Sequence, residues 1–463
     1  MEQKITSLLN WLHTSPEFYL NENVTINETE ASGRGVVLCK NKLVKNDLII
    51  SVPTTHQINF HTVLYHISKF NPDLSIPSVT VNEGSIDIDD PRNEAYSILE
   101  QDFLLELTSF QLLCLYIIAE WILLPVWSND ATVSYWKPFF DVLPAKEELR
   151  SIPTKWNLMD ASPYKPLIPF LSDASFSHTE RISKLVKNDW EIIAPILLTW
   201  NNMFSHKVKD VPSMEELYLE YLHVYFVINS RCLYYEIPIK KNKDIASNFT
   251  LVPYVDFLNH VPEVGEHCYP SLTTTKHETE LKAFTIRCGE KGYNQVGEEI
   301  FLNYGAHSND FLSNEYGFVL ENNEWNFIDV SEEILEMTEG NLETISFLKE
   351  NEYWGDYTIN FDDISYRIWV TMSLIVTKDI RRVEKFIQGF ISEDFFRPKI
   401  REPLIHLLSS LKKKYEERII NLTQMRLHDI NDTWCIDNLL IIYNDYLYIL
   451  DHHISALGEI NEK

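Results

Sequence analysis

The sequence predicts an α+β fold: short β-strands flank a large helical insertion, and an all-helical domain follows. Three observations carry this prediction. β-branched runs punctuated by Gly, Asn and Asp occupy residues 24–60 and again 249–304. Between them, from Leu104 to Trp127 and from Ser177 to Tyr234, apolar residues recur at every third or fourth position. Beyond Gly317 the helical spacing dominates, most strongly over Leu404–Leu411 and Leu439–Leu450. The expected division is a first domain over residues 1–320, with the insertion at about 95–235, and a helical C-terminal domain over 321–463.

Each element has a local reason. Ile5, Leu8, Leu9 and Leu12 lie at helical spacing, giving an amphipathic N-terminal helix rather than the unbroken apolar core of a signal peptide. Val24–Ile26, Gly35–Cys39 and Leu48–Val52 read as strands. Residues 81–106 carry eight carboxylates and one Arg, which suits a solvated loop leading into a helix. The apolar stretch Phe110–Leu124 contains Gln111 and Glu120 and is too short to span a bilayer, so no membrane partner is expected. Pro125, Pro138, Pro144 and Pro153 interrupt the insertion. Leu251–Phe257, Glu280–Ile286 and Glu299–Asn303 return to β-type patterning.

Composition narrows the function. Of 463 residues, 40 are Lys or Arg and 68 are Asp or Glu, a net charge of −28 that lacks the basic footprint of a nucleic-acid binder. An acidic surface favours basic partners instead. The six cysteines are dispersed with no C-x-x-C pair, which argues against a zinc cluster or disulfide framework and for a reduced cytosolic or nuclear compartment. A monomer is the default expectation. Glycine occurs only 13 times, where average usage gives about 32. Eight of the thirteen fall within Gly33–Gly35 and Gly265–Gly317.

Several mechanisms have no motif here. The P-loop, the dinucleotide G-x-G-x-x-G after a strand, G-x-S-x-G and H-E-x-x-H are all absent. Asp451-His452-His453 sits on an amphipathic helix without a third ligand at ordinary spacing, which suits a surface face better than a metal site.

Four segments remain. Ser32-Gly33-Arg34-Gly35 precedes Val36-Val37-Leu38; its glycines let a backbone approach a ligand, but a lone G-x-G is a weak signal and by itself reads first as a plain turn between strands. Asn229-Ser230-Arg231 closes a helical run. Leu251-Val252-Pro253-Tyr254-Val255-Asp256-Phe257-Leu258-Asn259-His260 delivers a carboxylate, an amide and an imidazole within five residues, unless it is simply a strand end with a capped turn. Gly297-Glu298-Glu299-Ile300-Phe301-Leu302-Asn303-Tyr304-Gly305, followed by Asn309 and Asn314-Glu315-Tyr316-Gly317-Phe318, sets two Tyr-Gly pairs twelve residues apart, with Asn323 beyond.

In this order the segments resemble the SET-domain protein lysine methyltransferases, in the branch of the Rubisco large-subunit methyltransferase and the yeast ribosomal-protein lysine methyltransferases. Tyr135-Trp136-Lys137-Pro138-Phe139 with Leu143-Pro144 resembles the insertion of that branch. The resemblance implies small β-sheets with a pseudoknot, the strand ending at Tyr304 threading beneath Asn259-His260. It implies S-adenosyl-L-methionine as cofactor and a basic protein as substrate, a ribosomal protein being one candidate.

The resemblance also implies roles. Tyr304 would orient the amine and wall the lysine channel. Backbone at Ser32, Gly33, Arg34 and Gly35, together with Asn259 and His260, would hold the cofactor, and Arg231 would pair with its carboxylate. Ser230, Asp256 and Tyr316 would line the lysine side. The chemistry needs a neutral amine, although free lysine titrates near ~10.4, so a dry channel and precise aim matter more than a strong base.

Two positions depart from the family pattern. Leu233 stands where an aromatic is usual, with Tyr234 next to it, and Ser32 replaces a frequent acid. A non-catalytic scaffold for basic proteins and a histidine acceptor are the rival readings. Residues 321–356 hold eleven acids and a single Lys349; they form either a solvated helix face or a guide for a basic substrate.

Overall fold

The computed structural model describes residues 2–29, 33–76, 87–239, 247–271, 281–428 and 433–459. Ser32, one of the residues expected at the cofactor, lies outside them, as do residues 81–86 of the first acidic stretch. The chain groups into two compact units, Met1–Leu149 with Ile182–Ala306 and Arg150–Arg181 with His307–Lys463.

Among the described residues, the first unit holds three small sheets. Strands β1 (Tyr19–Leu20), β2 (Val24–Thr29), β3 (Gly33–Leu38), β4 (Leu48–Val52) and β5 (Ile58–Asn59) come first. After the insertion follow β6 (Cys232–Tyr234), β7 (Phe249–Leu251), β8 (Tyr269–Pro270), β9 (Phe284–Arg287) and β10 (Glu299–Ile300). The sheet orders are β1-β4-β9-β8, β10-β3-β2 and β5-β7-β6, with antiparallel neighbours throughout. The central β3 buries Val36, Val37 and Leu38 while Gly33 stays exposed, so its apolar end is fixed in the core and its glycine end is presented.

The helices of the insertion explain its apolar runs. Ser109–Ile117 and Leu124–Trp127 are joined by a π-helical turn, Ile118–Leu123. At 19 residues Ser109–Trp127 is longer than the apolar stretch expected and is long and apolar enough to cross a membrane, but 72% of it is buried, which accounts for its hydrophobicity through core packing. Glu120 is the exception within it. Its carboxylate is buried and accepts bonds from Tyr96 Oη (2.7 Å), Ser134 Oγ (2.6 Å) and Arg92 (3.4 Å). A buried charge is tolerated only with such partners. Helix Met214–Arg231 then runs straight into β6, whose Cys232 has already turned extended. Arg231 is therefore delivered beside Leu251, the start of the third motif, because Cys232 pairs with Leu251.

The stretch expected as one strand over Leu251–Phe257 divides in two. The strand ends at Leu251, and Val255–Phe257 is a 3-10 turn. Pro253 has no N–H to continue a ladder, and Tyr254 adopts φ 73°, a conformation rare for a bulky residue. The strand expected over Glu280–Ile286 is found at Phe284–Arg287, and residue 280 lies outside the described chain.

After β10 the chain continues into an arrangement the periodicity could not show. Leu302 forms parallel bridges to both His260 and Cys268. Its N–H donates to the Asn259 carbonyl at 2.9 Å, and the Cys268 N–H donates to the Phe301 carbonyl at 3.0 Å. The loop Val261–His267 therefore crosses from one side of the Ile300–Tyr304 segment to the other and straps it in place.

In the second unit, helices Ser331–Glu336, Leu342–Glu350, Tyr366–Thr377, Ile380–Ile387, Arg397–His428 and Trp434–Glu459 dominate. The last two pack through Leu404, Leu408, Leu411, Leu439 and Leu450 into one apolar cluster. A two-stranded ladder, β11 (Phe327–Asp329) with β12 (Thr358–Asn360), accompanies them; three-residue strands are too short to show alternation in sequence. His453 Nε2 meets the Asn360 carbonyl at 2.7 Å and the His452 ring stacks on Phe361, so the histidine pair is used in packing. No metal-ligating group of three exists among the described residues.

Gly289 shows how tight the strap is. A Cβ there would stand 1.8 Å from the His267 carbonyl and 2.5 Å from that of Glu266, both backbone atoms. Gly289→Ala should cost about 1–3 kcal/mol of unfolding free energy, read from urea denaturation.

Candidate active site

Seven sequence-predicted residues, Arg34, Gly35, Arg231, Asp256, Asn259, His260 and Tyr304, converge in the first unit. The Asn259 amide donates to the Arg34 carbonyl (3.0 Å) and to Glu299 Oε1 (2.7 Å). It thus ties the G-x-G segment to the last strand. Gly35 is required by the same contact: a Cβ would lie 2.3 Å from Glu299 Oε1 and 3.0 Å from Asn259 Nδ2. Glu299 is a member of the site that motif reading did not single out. Its neighbour Glu298 instead accepts the N–H groups of Asn294 and Gln295 in a turn, and sequence alone does not distinguish the two.

Tyr304 is anchored at both ends. Its N–H donates to His260 Nδ1 at 3.0 Å, and its hydroxyl donates to the Leu258 carbonyl at 2.7 Å. The two rings stack, with centroids 5.0 Å apart. Accepting at Nδ1 leaves the neutral imidazole proton on Nε2. Burial pushes the Tyr304 phenol up to about 12, against the lowering effect of Arg231, with Asp256 and Glu299 adding to the rise. At neutral pH the hydroxyl therefore remains protonated and acts as a positioned dipole.

Arg231 and Asp256 form the charged wall. Arg231 Nη1 donates to the Asp256 carbonyl at 2.6 Å, while its Nε is buried with no hydrogen-bond partner among the described residues. Asp256 is 7% exposed, and its Oδ1 likewise has no such partner. Burial raises the Asp256 carboxyl to about 6, although Arg231 and Arg34 favour its charged form. An orphaned buried guanidinium donor fits a ligand carboxylate, so Arg231 suits the amino-acid end of S-adenosylmethionine.

The remaining expected residues are placed differently. Ser230 turns its hydroxyl back to the Phe226 carbonyl of its own helix at 2.8 Å. Tyr316 belongs to the second unit, where it ends helix Asn309–Tyr316. Gly317 follows at φ 82° as the left-handed cap, which gives this Tyr-Gly pair a structural reason. Asn309 and Asn323 are structural too. Asn309 donates to the Leu320 carbonyl (2.8 Å) and accepts the Leu320 N–H (2.9 Å), and Asn323 donates to Asn309 (3.1 Å).

The buried Asp256 makes stability depend on pH. Its folded pKa lies above its unfolded value, so its contribution is complete below about pH 4 and is lost as pH rises through 6. The rise from 3.8 to about 6 corresponds to about 3 kcal/mol. Relative to Asp256→Asn, the wild-type protein should lose stability of that order between pH 4 and 7 in urea titrations.

Comparison with known proteins follows the same lines. Ribosomal lysine N-methyltransferase 2 of Saccharomyces cerevisiae is 48% identical over 99% of this chain and 100% of its own length. Ribosomal lysine N-methyltransferase set11 of Schizosaccharomyces pombe is 31% identical over 41% of this chain and 48% of its own. The profile of the ribosomal lysine N-methyltransferase 2 C-terminal domain matches residues 326–456. Among solved structures, the SET domain of LSMT bound to lysine and AdoHcy has a TM-score of 0.58 at 15% identity, covering 99% of this chain and 92% of that one. Rubisco LSMT bound to AdoMet has a TM-score of 0.54 at the same identity and coverage. These two share the fold. Whole-length identity to the budding-yeast enzyme, with the Tyr304, His260, Asn259 and Arg231 constellation in place, shows that the chain belongs to the SET-domain ribosomal lysine N-methyltransferase family.

Proposed function

We propose that this lysine methyltransferase modifies a ribosomal protein, with Tyr304 as the catalytic residue and Arg231, Asn259, His260 and the Gly33–Gly35 backbone at the cofactor. The anchored Tyr304 hydroxyl is the observation that carries the site assignment. When bound, S-adenosylmethionine supplies an electrophilic methyl group on a sulfonium. The chain's residues do the aiming. Having donated its proton to Leu258 O, the Tyr304 oxygen retains lone pairs for the N–H of an incoming amine. Asp256, largely ionised at pH 7, draws the lysine side chain inward, and the buried surroundings disfavour its ammonium form. The proton released goes to water. Alignment supplies the rate, since no strong base stands at the site.

The ribosomal substrate is supported by the budding-yeast relative and by charge. Of the eleven acids in residues 321–356, all but Asp329 and Glu333 are exposed. We assign this acidic surface the role of attracting a basic segment of the substrate. Asp256 is the residue proposed for the lysine side; the Ser230 hydroxyl is committed to its own helix, and Tyr316 belongs to the second unit. We also propose a reduced cytoplasmic or nuclear location, a reading supported by the six free thiols.

Two measurements test this reading. Incubation of wild-type and Tyr304→Phe protein with labelled S-adenosylmethionine and purified ribosomal proteins should show transfer falling on the order of 10²-fold in the variant. Mass spectrometry of the labelled band should place the methyl on lysine. Undiminished transfer in Tyr304→Phe would overturn the catalytic assignment, and label on histidine would overturn the acceptor. Raising salt from low to physiological strength should increase KM for the protein substrate several-fold while leaving cofactor affinity nearly unchanged.

A further inference from the structure

The G-x-G segment is gripped from outside its own sheet. The Arg34 guanidinium forms an ion pair with Glu148 and reaches the Val142 carbonyl at 3.5 Å. It also stands 5.9 Å from the Phe257 ring centre. Glu148 lies in a short 3-10 turn, Lys146–Leu149, at the end of a loop from the helical insertion. That loop is itself braced. The Ala145 N–H donates to Glu148 Oε2 at 2.8 Å, His223 Nε2 meets the Pro144 carbonyl at 2.8 Å, and Lys146 pairs with Glu220 at 2.6 Å.

His223 and Glu220 both belong to helix Met214–Arg231, which ends on Arg231. A closed circuit results. The helix that presents Arg231 holds the loop, the loop's Glu148 holds the Arg34 side chain, and the Arg34 carbonyl is held by Asn259. The Arg34 side chain is 15% exposed and that of Glu148 is 48% exposed. An ion pair of that exposure adds little to global stability. Its value lies in where it fixes a backbone, at the Gly33–Gly35 end of β3, where the pairing to β10 at Val36 and Val37 no longer reaches and β2 alone forms the ladder.

We propose that Glu148 is a positioning residue for the cofactor: through Arg34 it sets the G-x-G backbone relative to Arg231, and the helical insertion thereby tunes S-adenosylmethionine affinity. This rests on the assignment of Gly33–Gly35 and Asn259 to the cofactor site.

The test measures binding of S-adenosylmethionine and of S-adenosylhomocysteine by calorimetry on the full chain, independently of turnover. Glu148→Ala should weaken both about tenfold, and Glu148→Gln, which keeps a hydrogen bond without charge, should fall between. Urea unfolding should show both variants folded with near wild-type stability. In an Arg34→Ala background, Glu148→Ala should add nothing further, because its effect passes through Arg34. Unchanged affinity in Glu148→Ala, or additive losses in the double variant, would overturn the inference. Asn259→Ala serves as the control. If it weakens binding and Glu148→Ala does not, only the positioning role fails. If neither alters binding, the cofactor assignment itself fails.

Discussion

Everything at the site depends on a tyrosine tied down at both ends. The backbone of Tyr304 is held by an imidazole and its hydroxyl by a carbonyl, and both partners belong to Leu258–His260, about 44 residues earlier in the chain. Two bonds separated by the length of a phenol ring fix a direction as well as a position. A single bond would leave the ring free to swing, and the alignment on which an in-line methyl transfer relies would be lost. The Arg231 guanidinium and the Asp256 and Glu299 carboxylates lie close enough to this ring to act on its phenol.

The arrangement carries energetic costs. Asp256 is buried where its charged form is disfavoured, and Tyr254 holds an uncommon backbone conformation one turn before it. Strain and desolvation of this kind concentrate where function overrides local preference. The compensation is nearby: Arg231 neutralises part of the Asp256 charge, and the apolar cores beneath β3 and β4 hold the frame. Arg231 also has a structural role. Its Nη1 bond to the Asp256 carbonyl keeps the 3-10 turn in register with the helix end.

Much of this was legible in residues. β-branched runs located β2, β3 and β4 to within a few positions, and the three-four spacing located the insertion's long helices. The motif residues Asn259, His260, Tyr304 and Arg231 were identified by their order in the chain and by family resemblance. What escaped has physical causes. Pro253 and Tyr254 convert an apolar β-type run into a turn, which hydrophobicity alone cannot register. Glu299 was indistinguishable from Glu298 because pairing register, not residue type, decides which one meets Asn259. Glu148 lies 114 residues from Arg34, and no local pattern links them. Asn309 and Asn323 drew notice for their chemistry and serve the fold, because a loop that leaves a helix needs its backbone groups satisfied.

The loop crossing Leu302 has a consequence for how the chain matures. His260 and Cys268 flank Leu302, which directly follows β10 where that strand pairs with β3, so the strap and the strand are both built from segments distant in the chain. Contacts of such long sequence separation form against a large loss of chain entropy and favour slow, late assembly. A nascent or partly opened chain would thus hold its cores without the geometry needed at Tyr304. Any ligand that binds the closed form better than the open one would shift that last equilibrium by mass action.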